Sequence, residues 1–196
     1  TLTDKNGNFI DKAKWLDGYH KRADKNDIER EIEAQILKSL SSGLKITHIN
    51  GHNHIHIFPK AVEAVIKLSR KHKIKYIRLP LEANSRHPKK NNFTRFISNF
   101  SKTARNKINK NRLRATDAFY GILNMNDMDF GGLSWILSSI EDGASELMVH
   151  PAYMDKKGDI FHQSMQRENE IKLLTNKKIM QTIKKLKINL TNFSRL

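Results

Sequence analysis

A change of hydrophobic period at residue 45 narrows the folds open to this chain more than any other feature. Residues 28–42 place Ile28, Ile32, Ile36 and Leu40 at four-residue steps, with Glu29, Arg30, Glu31 and Glu33 on other faces, and stop at Gly43. That is the pattern of an amphipathic helix. From Lys45 to Ile57 the period drops to two, and Pro59 then opens a second helical pattern through Ala61, Val62, Val65, Ile66 and Leu68. Proline is pre-organised for a first helical turn. Residues 74–79 (IKYIRL), closed by Pro80, predict another strand. Strand, helix and strand in this order are the layout of a βαβ unit over 45–79, and a parallel sheet follows from it.

The two-residue period carries an unusual cargo. Were 46–57 extended, His48, Asn50, His52, His54 and His56 would share one face and Thr47, Ile49, Gly51, Asn53, Ile55 and Ile57 the other. Burying four imidazoles without partners is costly, so such a face lines a wet cavity, binds a ligand or lies on the surface. Neutral imidazole is the commonest metal ligand and titrates near neutral pH, which favours a metal or catalytic role. Same-face neighbours on a strand stand ~7 Å apart, so one or two of these rings would ligate an ion and the others would orient them, meet substrate or move protons.

Farther on, 82–114 loses apolar content and gathers turn formers (EANSRHPKKNN), predicting a long excursion with at most short helices. A helix near 132–141 leads through Asp142 and Gly143 to a short strand, 145–149, that ends at His150-Pro151. A helix over 166–186 and a last strand over 187–191 complete the pattern. Sites in parallel α/β sheets form beyond the carboxyl ends of strands, where His150 and the end of the histidine segment both fall. His150 is therefore a candidate general acid or base.

Composition sets the outer limits. A chain of 196 residues suits one domain, no apolar run approaches a membrane span, and residues 1–10 lack a signal-peptide pattern. A cytoplasmic location is expected. Without cysteine, any metal falls to imidazole or carboxylate. The formal charge of +16 raises nucleic acid as a partner, with its densest cluster at 102–114, where Lys102, Arg105, Lys107, Lys110, Arg112 and Arg114 occur without an acid. No aromatic is interleaved there for stacking on single strands, and a solvated basic surface is the preferred reading.

The stretch Gly43 to Pro59 (GLKITHINGHNHIHIFP) closely resembles the histidine motif of the YdjC-like carbohydrate deacetylases, a family that includes chitooligosaccharide deacetylases and the HpnK group. Further similarities run in the same order: Glu33, Ala34 and Gln35 before it, IRLP at 77–80, then Asp117, Phe119 and Gly121, ELMVHPAY at 146–153, and Arg167 with Glu170. The resemblance implies a distorted (β/α) barrel of the polysaccharide-deacetylase type and removal of acetyl groups from N-acetylated mono- or oligosaccharides. It also implies one divalent metal ion, magnesium or zinc, whose ligands in the family are the second residue of an Asp-Asp pair, a histidine in a following segment, and the first histidine of the His-x-His-x-His run. Here that last position is His52; His54 and His56 would line the substrate side, and His150 takes the place of the proton-donating histidine.

Two departures accompany the resemblance. Asn50 stands where the family usually carries aspartate, keeping a hydrogen-bonding group beside the ligand histidine but losing a charge. Thr1 falls in the family's Leu-Thr-Asp stretch, after the segments with the Asp-Asp pair and the first ligand histidine; Asp4 and His20 match other positions. Lacking its first strands, a barrel made of 1–196 alone is expected to be poorly soluble, oligomeric or dependent on upstream sequence, with little deacetylase activity. The competing readings are a non-catalytic sugar-binding relative and a basic nucleic-acid module using 102–114.

Overall fold

Asp24 starts the first long helix, α1 (Lys25–Ser41), by accepting hydrogen bonds from the backbone N–H groups of Asn26 and Asp27. These are donors a first helical turn otherwise leaves unpaired. The chain leaves α1 through Gly43, whose φ of 81° is a left-handed exit that glycine takes without strain. Strand β1 (His48–Ile49) follows, then α2 (Pro59–Lys71) with Pro59 in its first turn, then β2 (Tyr76–Ile77). β1 and β2 are parallel, His48 opposite Tyr76 and Ile49 opposite Ile77, so the predicted βαβ unit is present. Ile36 of α1, Leu68 of α2 and Ile74 bury together, with Ile32, Ile46 and Ile49 around them.

The computed structural model describes residues 1–83, 92–125, 127–155, 157 and 163–196. They form two compact units, 1–79 with 96–115, and 80–95 with 116–196. The first contains α1, α2, the β1–β2 pair and residues 96–110 of a long helix, α3 (Asn92–Lys110). Phe58, Phe96 and Phe100 pack edge-on or tilted at ring-centre separations of 4.7–5.6 Å, and His20 sits against Phe58 at 4.9 Å. His20 bonds the Trp15 carbonyl through Nδ1 and belongs to this core.

The second unit is built on another parallel pair, β3 (Ala118–Tyr120) and β4 (Ser145–Leu147), with α4 (Phe130–Ser138) between them in sequence. Helices α5 (Met165–Leu174) and α6 (Lys177–Lys185) follow. Tyr120, Leu133, Ile136, Leu137, Leu173 and Ile179 make its core. Gly121 passes so close to β4 that a Cβ would lie 2.4 Å from the Met148 carbonyl oxygen, and its φ of 117° excludes most side chains as well. No helix among the described residues is long and apolar enough to cross a membrane.

Four expectations need correction. Residues 46–57 are not one strand; pairing stops at Ile49, and His52–Ile57 winds into a tight 3-10 turn. The excursion predicted over 82–114 contains the 19-residue α3. Its inner face carries Phe96, Ile97, Phe100, Ala104 and Ile108 at helical spacing, a period overshadowed by the turn formers before it and the dense Lys and Arg cluster along it. Residues 84–91 of that stretch lie outside the described residues. The helix predicted over 166–186 breaks at Thr175 and Asn176, where the Asn176 side chain caps α6 through the Lys178 N–H. Residues 187–191 form no strand; Lys187 takes a left-handed φ of 55° and Ile188 packs on the second unit's core.

Candidate functional site

Two groups of predicted site residues lie in different units. The first is the histidine turn after β1. Asn53 and His54 both take left-handed backbone angles, φ 51° and 60°, so the chain reverses instead of running on as a strand. Asn, Asp and His are the side chains that enter this region most readily after glycine. The His54 N–H bonds the Gly51 carbonyl at 2.9 Å and the Phe58 N–H bonds the Ile55 carbonyl at 3.0 Å, closing the turn at both ends.

His56 pins this turn from inside. Its Nδ1 accepts the Gly51 N–H at 3.0 Å, which leaves the proton on Nε2, and Nε2 donates to the Arg78 carbonyl at 2.8 Å. The ring is only 4% exposed. Burial drives its pKa down to about 4, partly opposed by the Arg78 carbonyl bond, so the ring is neutral at neutral pH. The side-chain alternation expected of a strand is therefore lost, and His56 has no ring nitrogen left to offer a ligand. Gly51 is required here by space alone: with φ −114° and ψ 140° its backbone suits any residue, but a Cβ would come within 2.9 Å of His56 Cβ and Nδ1.

The other members differ from it and from one another. His52, at the start of the turn, is exposed, and no side chain or backbone group among the described residues hydrogen-bonds its ring. His54 is buried, its ring centre 6.4 Å from that of His56. His48 is half-buried with Nδ1 3.0 Å from the Thr47 hydroxyl; burial, reinforced by the Arg78 charge, lowers its pKa. Asn50 is exposed between β1 and the turn. Among the described residues, no three histidine, aspartate or glutamate side chains meet in a way that would hold a metal ion. The described residues do not by themselves fit a closed divalent-metal site, and His52 is at most one donor toward such an ion.

The second group surrounds His150. Strand β4 delivers the chain to it: the Met148 N–H bonds the Tyr120 carbonyl at 2.9 Å, and two residues later His150 leaves the sheet. Glu170 of α5, itself 3% exposed, accepts the His150 N–H at 2.5 Å, while Arg167 Nε donates to the His150 carbonyl at 3.1 Å. His150 thus lies just past the carboxyl end of a parallel strand, as expected.

Glu82 was not anticipated as a site-building residue. It pairs with Phe119 at the edge of β3 and accepts the N–H groups of Gly121, Ile122 and Leu123 at 3.3, 2.8 and 3.4 Å, fixing the loop that leaves β3. Burial pushes its carboxyl up, against the lowering effect of those bonds. Asp117, singled out in sequence, is a scaffold group that accepts the Ala144 N–H at 2.8 Å and fills the space a Cβ on Gly143 would need. In the basic cluster, Lys107 pairs with Glu63 at 2.8 Å, and the Arg114 guanidinium lies 3.4 Å from the Tyr76 hydroxyl.

Parallel strand pairs with intervening helices, a histidine turn after one strand and a histidine past the end of another define an α/β protein. The YdjC-like protein family matches residues 1–185, and the chain belongs to that family. A carbohydrate deacetylase of Thermoanaerobacter pseudethanolicus is 32% identical, the match covering 90% of this chain and 66% of that one. A second, from Brevibacillus brevis, is 29% identical over 87% of this chain and 61% of its own length. Among solved structures, a protein of Enterococcus faecalis V583 described as a cellobiose-phosphate cleavage protein superposes with a TM-score of 0.73 at 19% identity, covering 98% of this chain and 67% of that one; it supports the fold. The chain thus spans about two thirds of the length of these relatives.

Proposed function

We propose that the protein is a carbohydrate deacetylase that hydrolyses the acetamide of an N-acetylated mono- or oligosaccharide. In this reaction a water oxygen adds to the acetamide carbonyl, the carbon–nitrogen bond breaks, acetate leaves, and the sugar amine departs with a proton. His150 is the residue to supply that proton. The observation that carries the reading is its place at the end of β4, gripped through its backbone, in a chain whose family includes proteins named carbohydrate deacetylase. The reading extends to the distorted (β/α) barrel, supported by parallel strand pairs with helices between them, and to a cytoplasmic location.

Metal dependence belongs to this proposal through His52, whose ring is exposed and unengaged among the described residues and is the donor on offer. A bound divalent ion would supply Lewis-acid polarisation of the carbonyl. The steps assigned to this chain are otherwise those of its own side chains. His54, within the turn, is proposed to border the sugar, and Asn50 to tune the ligand histidine by hydrogen bonding without adding charge. His56 contributes by holding the turn in shape.

The direct test uses His52→Ala in the full-length protein. A metal-dependent catalyst loses metal affinity and turnover by about tenfold to a hundredfold or more, whereas a non-catalytic sugar-binding relative binds N-acetylated oligosaccharide as before. Unchanged acetate release and unchanged metal content in the variant would remove His52 from the proposal.

A further inference from the structure

The segment after β4 is held in a way that its sequence does not announce. From His150 to Asp155 burial alternates: His150, Ala152 and Met154 are partly buried, while Pro151, Tyr153 and Asp155 are exposed, Tyr153 by 81%. Such alternation belongs to an extended strand beside a partner. Here the neighbour is the N-terminal part of α5. The His150 N–H goes to Glu170 Oε2 at 2.5 Å, the Ala152 N–H to the Arg167 carbonyl at 3.3 Å, and the Met154 N–H to Glu168 Oε1 at 2.9 Å. Arg167 Nε returns a bond to the His150 carbonyl at 3.1 Å. Every second residue is tied, and His150 is tied on both sides of its Cα.

We propose that Arg167, Glu168 and Glu170 are positioning residues that clamp the 150–154 backbone, with the Glu170 and Arg167 pair fixing the Cα of His150 so that its ring works from a set point. The proposal rests on the reading of His150 as proton donor and adds residues that act through it. Bonds to ionised partners are about twice as strong as neutral ones, and Glu170 makes its bond out of water. With N–H and C=O both engaged, the Cα from which the His150 ring extends is fixed. A proton donor needs that restraint, because a site functions only when its groups are held within about 0.5 Å of the productive geometry. The arrangement also accounts for a carboxylate buried in the second unit: Glu170 meets a main-chain donor of the very residue whose placement matters.

The test compares Glu170→Ala with Glu170→Gln in the full-length protein, reading amide hydrogen exchange and steady-state acetate release from N-acetylated chitooligosaccharide. Glutamine keeps an acceptor for the His150 N–H; alanine does not. Glu170→Ala is expected to speed exchange of the His150 amide by about a hundredfold while the β3–β4 amides change by less than about threefold. In the same variant kcat falls by about tenfold to a hundredfold with KM held within about twofold, and Glu170→Gln recovers most of the loss. If alanine prevents folding, Arg167→Met, which removes only the bond to the His150 carbonyl from this clamp, is expected to show the same kcat loss at unchanged KM. Unchanged His150 exchange, exchange raised equally across β3 and β4, or no rescue by glutamine would each overturn the clamp. Absence of acetate release from the unsubstituted protein would instead sink the deacetylase reading, and the exchange measurements would still decide whether the clamp exists.

Discussion

At the residue scale, the histidines of one short motif divide the work according to where the backbone turn leaves them. His52 is exposed and has no hydrogen-bond partner among the described residues, while His56 is buried with both nitrogens satisfied by main-chain groups. A buried ring that cannot accept a proton cheaply makes stability depend on pH. The unfolded chain takes up a proton on His56 near pH 6.5, the folded chain only near pH 4. The stabilisation is therefore complete above pH 6.5 and is lost as the pH falls toward 4, about 3 kcal/mol for this group. His48, also lowered, shifts the balance in the same direction. Urea denaturation between pH 7 and pH 4 should show this fall, and a smaller one in His56→Gln; an equal fall in both would mean that His56 is not the group responsible. Gly51 is the steric half of the same pin. Gly51→Ala should destabilise by about 1–3 kcal/mol through overpacking against His56, measured by the same denaturation, and a neutral substitution would contradict the close approach.

At the element scale, α3 is held by Phe96 and Phe100 against Phe58 and by two isoleucines. Ile97 and Ile108 are its fully buried large side chains. Ile108→Ala should cost about 2–5 kcal/mol, whereas an exposed neighbour such as Asn109→Ala should change stability by less than about 0.5 kcal/mol. Equal effects at the two positions, read from thermal unfolding, would place the helix face wrongly. The same helix shows what the sequence discloses and what it conceals. α1, α2 and the parallel β1–β2 pair were legible because each joins a period to a breaker: Gly43 follows the end of α1, Pro59 opens α2 and Pro80 closes the segment of β2. The stripe of α3 was overlooked although Phe96, Ile97, Phe100, Ala104 and Ile108 carry it, since the turn formers before it and the basic cluster along it read as a loop. The histidine segment misled for a different reason. Its alternation is genuine in sequence, but Asn53 and His54 tolerate left-handed angles, and a pin from His56 to Gly51 and Arg78 favours a turn. Of the candidate site, the position of His150 was legible, since an apolar strand ending at His-Pro has few alternatives. The roles of Glu82, Glu168 and Glu170 as backbone acceptors were not, because the groups that they hold lie up to 41 residues away in sequence.

At the scale of the whole molecule, family membership and the site residues bear on one question: whether this chain carries the acid of an amide hydrolase. Its strong positive charge bears on a different one. A solvated basic surface predicts that binding to generic duplex is weak and collapses with added salt, and fluorescence anisotropy across a salt series would check this; tight binding that survives physiological salt would revive the nucleic-acid reading of 102–114. The decisive measurement is acetate release from N-acetylated chitooligosaccharide by the full-length protein and by its His150→Ala variant. The unsubstituted protein should release acetate at a rate that the variant lowers by about a hundredfold or more, in line with the loss of a general acid. Equal rates in the two proteins, or no acetate from either, would contradict the assignment of His150 and of the reaction.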